Sequence, residues 1–153
     1  MATEYRGHGT PLAELGVRYF NAAGPQREMA ALAHLSNTVT VPSNVTTVHI
    51  TGQLGRIADG SIPDSIKEEF RAAFVAVEEA LKVAGADGWR SVYKAQTYLT
   101  VEGTEGLPHY GELVKEFCGQ NKPAQTAVTV PQLLWPKARI EIWVEGVMST
   151  TGA

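Results

Sequence analysis

The stretch from Pro63 to Val101 constrains the fold more than any other part of this chain, because it writes a capped helix and an alternating strand one after the other. Ser65-Ile66-Lys67-Glu68 has the form of a capping box, in which side chains satisfy orphan amides of the first helical turn. Ile66, Phe70, Phe74, Val77, Leu81 and Ala84 follow at helical spacing until Gly85 ends the helix. Its other face carries Lys67, Glu68, Arg71, Glu78, Glu79 and Lys82 and should meet water or a partner. After Ala86-Asp87-Gly88 the segment Val92 to Val101 alternates. Tyr93, Ala95, Thr97, Leu99 and Val101 are expected on one face, and Lys94, Gln96, Tyr98 and Thr100 on the other.

The remaining pattern extends this pair into a layered fold. A second helix is predicted over Leu107 to Phe117, with Leu107, Tyr110, Leu113, Val114 and Phe117 as its apolar stripe. Gln125 to Val130 and Arg139 to Val147 read as strands joined by Pro131 to Lys137; in the second, Ile140, Ile142 and Val144 alternate with Arg139, Glu141, Trp143 and Glu145. Upstream, Val39, Val41, Val45, Val48 and Ile50 among threonines predict two strands split at Pro42-Ser43-Asn44, and Gly52, Gly55, Asp59 and Gly60 a loop. Gly7, Gly9, Pro11, Gly16, Gly24 and Pro25 break up the opening residues, which predicts an irregular N-terminal extension over 1–35 before a domain over 36–153. Gln26 to His34 would hold a helical turn or two. The expected class is α+β, with two helices on one face of a mixed sheet.

Composition narrows the function. At 153 residues and 44% hydrophobic content the chain can bury a core without disulfides or a structural metal. Cys118 is alone, which excludes an internal bridge and a multi-cysteine zinc site; at a helix end it reads as a core filler. With no charged-then-apolar leader the expected location is cytoplasmic. No apolar run approaches the roughly 20 residues of a membrane span. A formal net charge of -3 without a basic cluster argues against nucleic acid and leaves a small molecule as the expected partner. Gly52-Gln53-Leu54-Gly55 followed by Gly60 lacks the lysine of a phosphate loop, so no nucleotide is expected. The sheet face away from the helices would carry Trp143, Tyr98 and Gln96 beside Glu141 and Lys94. That surface is too aromatic for bare solvent, and self-association is the economical cover.

An ordered set of segments resembles the YjgF/RidA family, also called the Rid or L-PSP endoribonuclease family. Val48-His49-Ile50-Thr51-Gly52-Gln53-Leu54-Gly55 is similar to the family's strand ending in S-G-q, and Ala80 to Ala86 to its v-L-e-a-a-G-a helix end. Val92 to Thr100 is similar to V-v-K-t-t-v-y-l-t, Pro123-Ala124-Gln125-Thr126-Ala127-Val128 to P-A-R-t-a-v, and Ile140-Glu141-Ile142 to i-E-i. The match covers about Ser36 to Val147. It implies a chorismate-mutase-like fold, a homotrimer with ligand clefts between subunits, and no cofactor or metal. Ordinary members hydrolyse enamines and imines to keto acids and ammonia.

Position by position, the resemblance makes Glu141 the residue that positions the attacking water and Thr51, before Gly52, a pocket residue. Gln125 stands where the family has the arginine that grips a carboxylate, Leu35 near an aromatic position of the cleft, and Gly111 near a helix asparagine. Gln125, Leu35, Gly52, Thr126, Gly111 and Trp143 are the expected substrate contacts, and Glu141, Thr51 and His49 the expected catalytic group, His49 because it shares strand parity with Thr51. The structural alternative for Glu141 is a salt bridge to Arg139 or Lys94; His109 reads as a solvent-facing helix residue. Glutamine offers one uncharged donor group and one acceptor where arginine offers a charged fork, and losing such an ion contact costs about 2 to 5 kcal/mol. Glutamine suits a neutral carbonyl, amide or hydroxyl. The expectation is a cofactor-free acid/base enzyme acting on a neutral or poly-carbonyl intermediate by hydration, proton shuttling or cyclisation. An enamine/imine deaminase and a non-catalytic small-molecule-binding trimer stand as alternatives.

Overall fold

The computed structural model describes residues 1–5 and 10–151. In chain order these form β1 (Thr3–Tyr5), α1 (Pro11–Glu14), β2 (Arg18–Asn21), α2 (Pro25–Leu32), β3 (Thr38–Thr40), β4 (Val45–His49), β5 (Gln53–Leu54), α3 (Ile66–Val83), β6 (Val92–Thr100), α4 (Leu107–Cys118), β7 (Ala124–Val130) and β8 (Ile140–Ser149), with 3₁₀ turns over Gly88–Ser91 and Glu102–Gly106. The Ser65 cap forms as the sequence dictates, the Glu68 amide donating to Ser65 Oγ at 3.3 Å.

The main sheet has the order β4-β8-β6-β7, with β5 also on β8. Its β6–β7 pair is parallel and the others antiparallel, so the sheet is mixed. Helices α3 and α4 cover one face: Phe70, Phe74, Val77 and Leu81 with Leu113, Val114 and Cys118 pack on Ala95, Leu99, Ile140, Ile142 and Val144. Trp89 completes this core, its ring stacked on Phe74 at 4.6 Å and its indole N–H donating to the Phe74 carbonyl. The fold is the expected α+β arrangement.

Two strand positions depart from simple alternation. A register shift between Val92 and Lys94 takes Tyr93 off the helix-covered face, and Val101 is exposed because the 3₁₀ turn begins there. Within the expected glycine loop, Gln53–Leu54 pairs with β8 as a two-residue strand too short to signal itself in sequence.

The largest difference lies in the first forty residues. In place of the expected irregular extension over 1–35, the described residues there and in β3 carry the antiparallel sheet β1-β2-β3, and Leu12, Val17 and Tyr19 are fully or almost fully buried with Val147 of β8. Val147 shares strand parity with Trp143 and Glu145, so this cluster covers one end of the second sheet face, with Val45 and Tyr93 packed against it. Short local pieces hid this because their apolar partner is more than a hundred residues away. The same segment clamps the turn between α4 and β7: Tyr5 donates to the Gln120 carbonyl, Tyr19 to Asn121 Oδ1 at 2.8 Å, His34 Nε2 lies 2.8 Å from the Gly119 carbonyl, and the Ser36 amide donates to the Pro123 carbonyl. Among the described residues, no helix is long and apolar enough to cross a membrane.

Candidate functional site

Glu141 stands in β8 between Tyr98 of β6 and Leu54 of β5, on the face that the helices leave uncovered. Beside it the chain accommodates one extra residue. His49 aligns with Glu145, so an unbroken ladder would bring residue 52 opposite Ile142, whereas Gln53 occupies that position. Such a bulge re-aims the backbone, and Gly52 is what lets the carboxylate lie over it: a Cβ there would meet Glu141 Oε1 at 2.1 Å. Among the described residues the Glu141 carboxylate has no hydrogen bond or ion pair. Both partners of the salt-bridge alternative are engaged elsewhere. Arg139 is buried and turned to Glu69, with Nε–Oε2 at 2.6 Å and its backbone amide on Oε1, while Lys94 lies 3.5 Å from Glu145 and over the Trp143 ring at 5.0 Å.

Thr51 and Gly52 border a cleft of about 470 Å³ formed with Gln53, Arg56, Ile57 and Gly60. His49 does not join them. The extra residue breaks its expected parity with Thr51, and it meets Glu145 instead, with Nδ1–Oε1 at 3.5 Å and a side chain 66% exposed. Glu145 also accepts from the Tyr93 hydroxyl, a bond that holds its carboxyl below the usual range against burial, with Lys94 and His49 assisting. Burial, then Glu145, push the Tyr93 phenol up to about 12. Trp143 and Thr126 share the open face, Trp143 opposite Gln96 and Thr126 exposed on the edge strand.

Gln125 lies on the other face. It aligns with core residue Ala95, and its amide is tied at both ends. Oε1 accepts from the Tyr110 hydroxyl at 3.2 Å, and Nε2 donates to the His34 carbonyl at 3.4 Å; Thr97 Oγ1 is 2.9 Å from the same Tyr110 oxygen. Burial pushes Tyr110 up to about 12 and His34 down. Leu35, Gly111 and Gln125 line one cleft of about 580 Å³, with Leu32 and Leu107 making it apolar, and the space beside Gly111 is open. The sequence-predicted residues therefore fall into two half-sites, Glu141 over Gly52, with Thr51 next to it in a cleft that reaches Ala76 of α3, and Gln125 with Leu35 and Gly111 on the helix-covered face.

Several residues of consequence escaped the sequence reading. Glu69 sits on the apolar stripe of α3, three residues after Ile66, and that position signals a buried, paired acid. His109 is not solvent-facing: its side chain is 16% exposed, Nδ1 lies 3.2 Å from Glu112, and Nε2 is buried without a partner among the described residues. Cys118 is buried and its thiol is pushed up by burial, as suits a core filler. No group of three or more His, Cys, Asp or Glu among the described residues could hold a metal ion.

The family described as endoribonuclease L-PSP matches residues 25–147. The chain belongs to this family, known also as Rid or YjgF. Its fold is similar to that of the Rid-family protein YyfB of Yersinia pestis, a protein of unknown function, at 21% identity and a TM-score of 0.74, covering 86% of this chain and 98% of that one. Rv2704 of Mycobacterium tuberculosis, of the YjgF/YER057c/UK114 family, is 23% identical with a TM-score of 0.57, covering 84% and 98%. TdcF of E. coli, solved with bound serine, is 20% identical with a TM-score of 0.59, covering 76% and 95%. No curated protein matches the chain. Family membership begins at Pro25, so β1, α1 and β2 precede the matched region.

Proposed function

We propose that this Rid-family chain acts on a small metabolite, uncharged at its reacting carbonyl or imine carbon, by cofactor-free acid/base chemistry at clefts completed between copies of the chain. The observation that carries this reading is the Glu141 carboxylate, half-buried over Gly52 with no structural partner among the described residues. A carboxylate so placed can take a proton from an attacking water or return one to a leaving group. Gln125 and its apolar cleft face the opposite way, so a site using both half-sites draws them from different copies; the resemblance to homotrimeric Rid proteins supplies the symmetry. Gln125 spends one amide hydrogen on His34 and its carbonyl on Tyr110, which leaves one neutral N–H to offer a carbonyl oxygen. Serine bound to TdcF supports small-molecule work.

The test is Glu141→Gln. Turnover of uncharged imines or enamines should fall by roughly a hundredfold or more, the usual worth of general acid/base assistance. The melting temperature should stay unchanged, since no ion pair is lost. Imines of small amino acids, each bearing a carboxylate beside the reacting carbon, should react weakly in wild type. A fully active Glu141→Gln protein would remove the acid/base reading and favour a binding role.

A further inference from the structure

Each arginine among the described residues but one has a committed acceptor. Arg18 pairs with Glu4, Arg71 with Glu116, Arg90 with Asp87 and Arg139 with Glu69, and Arg27 donates to the Met1 carbonyl. Arg56 makes no hydrogen bond or ion pair with any described residue. Its guanidinium is held instead over the Trp135 ring, 5.0 Å from the centroid. A cation–π contact of this kind takes up no hydrogen-bond donor and leaves the N–H groups free to meet a ligand. The group is thus oriented without its donors being consumed.

Arg56 lines the cleft of about 470 Å³ that begins at Thr51 and Gly52, a volume within the range of small-ligand sites. Among the described residues no carboxylate lines that cleft and Arg56 is its one ionic group; Glu68 and Glu79 of α3 border a neighbouring cleft that Arg56 also lines. The Thr51 hydroxyl makes no hydrogen bond with a described residue, and Gln53, whose Nε2 donates to the Thr51 carbonyl at 3.0 Å, retains a second amide hydrogen. The donors therefore share a cation that has no ion pair among the described residues, in a chain whose net charge is -3. The Glu141 carboxylate lies against Gly52, which borders the same cleft. Arg56 is two residues beyond Leu54, the cross-strand neighbour of Glu141, which is about 7 Å of extended chain.

We propose that this cleft is a carboxylate-binding site, with Arg56 as the fork, Trp135 as the platform that orients it, and Thr51 and Gln53 as flanking donors. The ligand it takes carries its carboxylate several bonds from the carbon that faces Glu141, unlike a 2-imino acid, whose carboxylate is adjacent. The identification of that reacting carbon rests on the proposed function above; the anion site itself does not.

The experiment titrates benzoate, benzamide and inorganic phosphate into the intact protein while the Arg56 Nε–H and Trp135 indole N–H signals are followed by NMR. Benzoate should shift both signals and saturate in the millimolar range, and benzamide should shift neither. Arg56→Gln should weaken benzoate by about tenfold or more at unchanged melting temperature, and Arg56→Lys should fall between, since lysine keeps the charge and loses the fork. Glu141→Gln should leave benzoate binding intact or tighter, because it removes a neighbouring negative charge. Equal response to benzoate and benzamide, undiminished binding to Arg56→Gln, silence of both signals, or a response to phosphate alone would each overturn the site. Intact benzoate binding together with a fully active Glu141→Gln protein would instead overturn the acid/base reading and leave this site standing.

Discussion

Arg139 shows how a single residue can bind three parts of the chain. Its side chain reaches Glu69 of α3, the Pro63 and Asp64 carbonyls before that helix, and Glu102 of the turn after β6. A buried pair of this kind adds little net stability, yet removing one member strands the other charge. Arg139→Met should therefore cost about 3 to 5 kcal/mol in urea unfolding, and Arg139→Met with Glu69→Leu should recover much of it. Glu145 gives a second residue-scale prediction. Its carboxyl titrates lower in the folded chain than the ordinary value of about 4.3, so its contribution is present above that pH and lost as pH falls through the folded value. Tyr93→Phe removes the main cause. The stability gap between wild type and Tyr93→Phe should be constant above about pH 5 and close on acidification.

Among the elements, legibility followed how far away each one's partner lies. Helix α3 announced itself because cap, stripe and stop all lie within twenty-odd residues of one another, and β6, α4 and β8 because each carries its own period. The placing of Glu141 on the uncovered sheet face was legible for the same reason, since it alternates with Ile140 and Ile142. What could not be read locally were β5, whose two residues owe their state to β8, the bulge that parts His49 from Thr51, and the sheet of the first forty residues. That sheet depends on Tyr19, whose hydroxyl is buried against Asn121; Asn121 in turn donates to the Trp89 and Val92 carbonyls. Tyr19→Phe leaves Asn121 Oδ1 without its donor inside the protein, which should cost about 1 to 3 kcal/mol. Amide exchange should show faster opening at Gln120 to Lys122 with the α3 core unaffected.

At the scale of the molecule, the covering of the second sheet face is divided. The N-terminal segment seals the end around Val147, while Gln96, Tyr98, Glu141 and Trp143 stay partly exposed at its middle. The proposed trimer would cover that remainder. Light scattering at micromolar concentration should then report three times the 16.5 kDa chain mass, and a stable monomer would remove the composite cleft. The extra residue at Thr51–Gly52 has a consequence for how such a protein can change. It works as a phase slip: upstream of it, alternate residues of β4 keep their sides by one count, and downstream β5 keeps its sides by another. Insertions or deletions in the Arg56–Gly60 loop need not be compensated in β4, so ligand preference at this cleft can drift in chain length as well as in side chain, while the β4–β8 ladder continues in its old frame.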